Sequence, residues 1–424
     1  MTRQEEIRNL MKDNIVLAVG CTEPVAVALA VAKAKELLGE EVEKVELSLS
    51  KNIIKNAMGV GIPGTGMIGL PIAVALGVVC GHSCKELQVL EDAKDNLDKA
   101  KNWLATHKIE MKNKDTDEKL YIECCCHGKT SVSKAVIAKN HTNFVLLQKD
   151  DKVLPCNNSG KSCNTAKADT SQTAATLSIK EIYDYATQTE LSFLEWIYDM
   201  VEVNLKISQE GLQGDYGLRI GKSLMADGDL NTRKKVIAAA CSASDARMDG
   251  ATLPVYSNSG SGNQGITCSV PVAKYAEALG KTKEDLIRAL TLSNLVSIYI
   301  KNKIGRLSAL CGIVNASMGV GSAFVYLKGG SLTQICYAIR NMINTITGMV
   351  CDGAKPSCSL KMSAGLNSAF DSALLAMNNI VVNQTDGIAE QNIDHSIENL
   401  GKIGRFGMDK MDELVLDIML DKNS

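Results

Sequence analysis

The sequence predicts an α+β fold: a discontinuous helical domain carrying a cysteine-lined site, with an α/β domain inserted into it. Three observations predict this. Residues 43–50, 119–127, 131–139 and 142–149 have the alternation or punctuation of short strands, and all lie in the first half of the chain. From residue 230 onwards nearly every run is helical, over 232–246, 268–279, 283–301, 306–327, 331–350 and 363–379. Cysteines suited to a shared site stand at opposite ends, Cys21 near the start and Cys311, Cys351 and Cys358 near the end. For these to meet, the N-terminal stretch must pack back onto the C-terminal helices. The expected division is therefore 1–42 plus 206–424 for the helical domain and 43–205 for the insertion. A chain of 424 residues is long for one core, so two domains is the natural prior. The cleft between them is the default active site.

Composition narrows the function. Apolar residues make up 45% and charged residues 22%, an ordinary globular balance, and the net charge of -2 offers nothing to nucleic acid or an anionic membrane. The apolar run at 57–80 is broken by glycine and proline, and residues 1–20 lack the charged head and apolar core of a secretory signal. A cytoplasmic protein is expected. Fourteen cysteines in a long chain without a secretory signal do not read as a disulfide scaffold. Some of them are expected to do chemistry.

Taken in order, a charged helix at 3–14 leads to Gly20-Cys21-Thr22-Glu23-Pro24. Thr22 suits a cap, Glu23 a first turn and Pro24 the first helical positions, so Cys21 lies at the positive end of a helix running to Leu38. Such a place favours a thiolate or a bound cluster. Gly59, Gly61, Gly64 and Gly66 form either a nest of backbone amides or a structural turn. Residues 84–106 read as a polar helix. Cys124, Cys125 and Cys126 lie on a predicted strand, whose neighbouring residues point to opposite faces, so a structural reading outweighs a metal site. Cys156 and Cys163 lack partners at metal-site spacing. His141 sits in a polar turn before a strand, where its ring can face a cleft. Residues 178–209 return to helix. The loop at 256–272 crowds Ser259, Ser261, Asn263 and Gln264 around glycines before a helix, which suits the carboxylate or amine of a small polar ligand, or a capped linker.

Five stretches carry a family resemblance: GCTEPVAVALA at 20–30, HTN at 141–143, SGSGNQGITCSVPV at 259–272, CGIVNASMGVGSA at 311–323 and GMVCDGAKPSCSLKM at 348–362. Together they resemble the L-cysteine desulfidase family, which is related to the catalytic part of iron–sulfur L-serine dehydratases. The resemblance implies an oxygen-labile [4Fe–4S] cluster with one iron open to substrate and no pyridoxal phosphate. Its ligands would be Cys21, Cys311 and Cys351, with Cys358 as a further candidate. It implies a carbon–sulfur lyase converting L-cysteine to pyruvate, sulfide and ammonia, and leaves room for a homodimer. Dehydration of L-serine is the first alternative. A non-catalytic, thiol-rich metal protein centred on Cys124–Cys126 is the second. Elimination needs a base and groups that hold the carboxylate. The candidate base is His141, with Lys51, Lys55 and Lys361 as rivals, since a desolvated lysine can titrate near neutrality. The candidate substrate cradle is Ser259, Ser261, Asn263 and Gln264, with Gly64 supplying a backbone donor.

Overall fold

The structure, a computed structural model, describes residues 1–156, 170–305 and 308–422. Cys163 lies outside them. Helix α1 (Arg3–Asn14) opens on a capping box between Thr2 and Glu5. Strand β1 (Leu17–Val19) and α2 (Thr22–Leu38) follow, and α2 stops at Gly39, left-handed at φ 71°. Then come β2 (Lys44–Leu49), α3 (Lys51–Ala57), α4 (Leu70–Val79), α5 (Leu97–Thr106) and β3 (Lys108–Asn113). Strands β4 (Tyr121–His127), β5 (Val132–Ala138), β6 (Phe144–Lys149) and β7 (Lys152–Leu154) close this part. Helices α6 (Thr170–Thr176), α7 (Ile179–Gln188), α8 (Leu191–Leu194), α9 (Asp199–Gln213), α10 (Ile220–Ala226) and α11 (Thr232–Met248) lead to β8 (Pro254–Tyr256). The rest is helical: α12 (Gly262–Ala278), α13 (Lys283–Ile304), α14 (Gly312–Leu327), α15 (Leu332–Ile346), α16 (Cys358–Met377), α17 (Ile393–Lys402) and α18 (Asp409–Asp421). No helix among the described residues is long and apolar enough to cross a membrane.

The α+β architecture expected from the sequence is the one observed. A six-stranded sheet runs β3-β2-β4-β5-β6-β7, parallel only between β2 and β3. Burial alternates along β2 and β4, and their inner face packs on α2 and α4 in one apolar core. The cysteine triplet obeys this alternation: Cys124 and Cys126 are fully buried, and Cys125, on the opposite face, is half-buried. The three sulfurs therefore do not converge, which removes the triplet as a metal site. The second core belongs to the helices. Its densest contact is α13 against α14, where Gly319 lets the backbones approach: a Cβ there would lie 2.2 Å from the Ser293 carbonyl oxygen.

The two cores partition the chain differently from the expected 1–42 plus 206–424 and 43–205. Helix α2 lies on the sheet, its Val25–Ala34 stretch in the same core as β4 and β5. Helices α7 and α9 bury Ile179, Ile182, Met200 and Ile207 in the helical core. Only α1 and β1 of the N-terminal segment join the helices, α1 through Ile7, Leu10 and Met11 and β1 by pairing with β8. The helix expected at 84–106 is shorter. Residues 83–96 form 3₁₀ turns broken at Glu86 (φ 49°), because Val89, Leu90 and Ala93 turn inward against the α/β core. Strand β3 carries no clear apolar alternation. It is a lysine- and glutamate-bearing edge whose partner, β2, pairs it 64 residues earlier, Lys44 with Lys108.

Candidate active site

The pairing of β1 with β8 brings the two ends of the chain together. Leu17 faces Tyr256 and Val19 faces Pro254, while Ser257 and Ser259 donate their N–H groups to the carbonyls of Val16 and Asn14 at 2.8 and 2.9 Å. The chain then turns at Gly20 (φ 74°), where a Cβ would lie 2.5 Å from Pro63, and Cys21 caps α2. Cys311 caps α14 and Cys358 is the first residue of α16. Cys351 is held beside them by a bridge in which Cys311 N–H donates to the Met349 carbonyl and Cys351 N–H to that of Ala309. All four cysteines line one cavity of about 110 Å³, together with His141, Ser259, Ser261, Asn263 and Gln264. The N-terminus of α12 also opens here, so four positive helix ends face the same space.

Charge at the site is arranged around the sulfurs. Burial pushes Cys21 and Cys311 up to about 12; Arg247 opposes this at Cys21, whereas Cys351 adds to it at Cys311. A bound cation reverses the preference, since a coordinating thiol is deprotonated outright. Among the described residues no three His, Cys, Asp or Glu side chains are close enough for one metal ion. Four cysteines ringing a cavity instead suit a cluster, which spreads its thiolates over several irons. The Arg247 guanidinium, 4% exposed, donates to the Gly20 carbonyl at 3.0 Å and to Asn263 Oδ1 at 3.2 Å, tying the Cys21 turn to α12. Glu23 accepts from Asn56 Nδ2 at 3.0 Å and lies 3.0 Å from the Thr22 hydroxyl, which also reaches the Gly260 carbonyl at 2.8 Å. Asp352, which burial alone would raise, is held down at about 2 by Lys355 and Lys361.

The family model described as serine dehydratase alpha chain matches residues 84–417. The chain belongs to the serine dehydratase alpha chain family. It is also 46% identical over 427 residues to a UPF0597 protein of Phocaeicola vulgatus, covering 99% of this chain and 98% of that one. A UPF0597 protein of Clostridium perfringens is 42% identical over 419 residues, 97% of each chain. One from Porphyromonas gingivalis is 46% identical over 430 residues, 99% of each. The kinship expected from the sequence motifs is thus established along nearly the whole chain.

Against this serine dehydratase-type framework, the expected residues fall into two groups. His141, 5% exposed, projects from the tight turn between β5 and β6, its ring against Gly260. Of the cradle residues, Gln264 accepts at its Oε1 from Asn315 Nδ2 at 2.7 Å, leaving its Nε2 without a hydrogen bond among the described residues. Ser259 donates to Asn258 Oδ1, and Ser261 accepts from Gln264 N–H as the cap of α12. Four residues, Gly64, Lys51, Lys55 and Lys361, are not on the cavity wall. Gly64 gives its N–H to the Gly250 carbonyl at 2.9 Å, so that donor is taken. Lys51 pairs with Glu413 at 2.5 Å on the partly exposed side of α3. Lys55 is buried against Asp412. Lys361 donates to the Val350 carbonyl at 2.8 Å and pairs with Asp352; burial would lower its pKa, but the carboxylate raises it, which suits a counter-charge better than a base. Sequence reasoning missed Asn56, Arg247 and Lys301 as wall residues. Arg247 and Lys301 look like solvated last-turn cations of α11 and α13, and only burial distinguishes them.

Proposed function

We propose that the protein is an iron–sulfur-dependent lyase that eliminates the β-substituent of a small L-amino acid, L-cysteine in preference to L-serine. The observation that carries this reading is the convergence of four cysteines and four helix N-termini on one small cavity that also holds His141 and a carboxamide-rich helix start. At about 110 Å³ the cavity is well below the few hundred Å³ usual for drug-sized ligands, which favours a small substrate. Cys21, Cys311 and Cys351 would hold a [4Fe–4S] cluster, with Cys358 beside them. When bound, the cluster supplies a Lewis-acidic iron, free of protein thiolate, toward the leaving group.

The chain's own residues do the rest. His141 takes the α-proton, an imidazole being a side chain suited to proton transfer near neutral pH. The electron pair of the Cα–H bond becomes the Cα–Cβ double bond as the Cβ–S bond breaks and sulfide leaves. Gln264 Nε2 and the α12 N-terminus orient the amino acid. Aminoacrylate then tautomerises and is hydrolysed in water, so L-cysteine and water give pyruvate, sulfide and ammonia. Serine dehydration, the reading favoured by the description of the family model, follows the same course with water as the leaving group.

Anaerobic reconstitution followed by parallel assays of sulfide and pyruvate separates the two. Sulfide release from L-cysteine is expected to exceed pyruvate formation from L-serine in kcat/KM. The reverse order would make the protein a serine dehydratase. His141→Gln is expected to keep its iron and lose exchange of the α-proton of bound L-cysteine in deuterated solvent. Exchange at the parent rate would remove His141 as the base.

A further inference from the structure

We propose that Lys301 is the anchor for the carboxylate of the ligand in this cavity, a substrate-binding residue outside the motifs that carry the family resemblance. Lys301 lies in the last turn of α13 and is 5% exposed. It lines the cysteine cavity and also an adjoining hollow of about 320 Å³ bounded by Leu10, Asn14 and Asn302, so it stands where the two meet. No hydrogen bond or ion pair engages its ammonium group among the described residues. Every other cation near the site has a partner: Arg247 holds Gly20 and Asn263, Lys55 holds Asp412, and Lys361 holds Asp352. Glu23, the acidic wall residue, is already satisfied by Asn56 and Thr22.

A buried ammonium without a counter-ion is costly, and folded chains keep such groups where a ligand supplies the missing charge. Burial works against the ammonium charge of Lys301, and Cys351 and Cys311 oppose that. The C-terminal end of α13 offers it partial compensation through the helix dipole. What it lacks is a full negative charge at hydrogen-bonding distance. Among small amino acids that charge is the α-carboxylate. The choice of ligand rests on the elimination reading; the carboxylate site itself does not.

The test is calorimetric titration of the full chain, purified anaerobically, with propionate, L-alanine and ethylamine. The parent is expected to bind propionate and L-alanine, and Lys301→Met to bind both about 10- to 100-fold more weakly, the range of a lost charged hydrogen bond. Ethylamine, which has no carboxylate, should bind the two proteins alike. Iron content should be unchanged, and the melting temperature of Lys301→Met should equal or exceed the parent's, because an unpaired buried charge has been removed. Lys301→Gln provides a second neutral variant should the methionine disturb packing. Undiminished propionate binding in both variants overturns the proposal. So does loss of iron in step with loss of binding, which would make Lys301 a counter-charge for the cluster, and so does a parent that binds no carboxylate at all. If the parent binds propionate through Lys301 yet turns over neither L-cysteine nor L-serine, the carboxylate site stands and the elimination reading falls.

Discussion

Asn263 and Gln264 are neighbours in the first turn of α12, yet the structure gives them different work. Asn263 Oδ1 accepts from Arg247, and its Nδ2 rests on the Met248 sulfur at 3.4 Å. Gln264 has an amide nitrogen to spare. Asn263→Ala should release Arg247 from the Cys21 turn and lose iron together with activity. Gln264→Ala should keep its iron while kcat/KM falls about 10- to 100-fold, the cost of a hydrogen bond to a charged ligand. Iron determinations beside kinetics check both, and the opposite pairing would refute the assignment. Asp245 offers a test by pH. It is fully buried with Oδ1 unpaired, and burial raises its pKa against the hydrogen bond from Gly221 N–H. A raised carboxyl pKa adds stability below the unfolded value near 3.8 that is lost as pH rises through the folded value. The stability of the parent relative to Asp245→Asn should therefore be greater at mildly acid pH than at neutrality, as measured by denaturant unfolding. A gap independent of pH, or of the reverse sign, would contradict it.

At the scale of the element, the site is an assembly of helix starts. Cys21, Cys311 and Cys358 stand at or within the first position of α2, α14 and α16, where unsatisfied N–H groups favour negative charge. Cys21→Ser, Cys311→Ser and Cys351→Ser are each expected to abolish retention of iron and acid-labile sulfide after anaerobic reconstitution. Cys358→Ser is expected to retain both, and its failure to do so would move Cys358 among the ligands. The seating of α12 depends on Gly265: a Cβ there would lie 1.9 Å from the Tyr256 carbonyl oxygen in β8. Gly265→Ala should cost about 1–3 kcal/mol or more, since an overpacked backbone contact cannot relax like a side chain. A thermal melt matching the parent would show that β8 can move.

For the whole molecule, the question is what holds the two cores around the cavity. Helix α18 returns from the helical part to the α/β part and meets α3. There Lys55, 1% exposed, pairs with Asp412, while Lys51–Glu413 and Lys119–Asp409 lie toward solvent. The next residue, Asn56, holds Glu23 in the cavity wall, so the buried pair and the site share one short helix. Asp412→Ala should cost about 3–5 kcal/mol, because it strands a buried ammonium. Glu413→Ala should be near silent, as exposed pairs are. Equal effects in a denaturant titration would mean that the buried pair does not fasten the cores.

The sequence by itself determined the class of the fold and named part of what lines the cavity. Helical spacing after residue 230 and short alternating runs before it are local signals, and the cavity gathers Cys21, His141, the Ser259–Gln264 loop and Cys311–Cys358 largely from motifs legible as strings. The ownership of α2 was not legible. Its all-round apolar sequence can bury against either core, and pairing of β1 with β8 carries only the residues before Gly20 to the helices. Helices α12 and α16 also start several residues before the expected 268 and 363, since polar first turns resemble loops until their amides are seen to be capped or turned toward a cavity. Arg247 and Lys301 were invisible for a related reason. A cation in the last turn of a helix is usually solvated, and only the packing of distant elements over α11 and α13 makes these two buried charges that need partners.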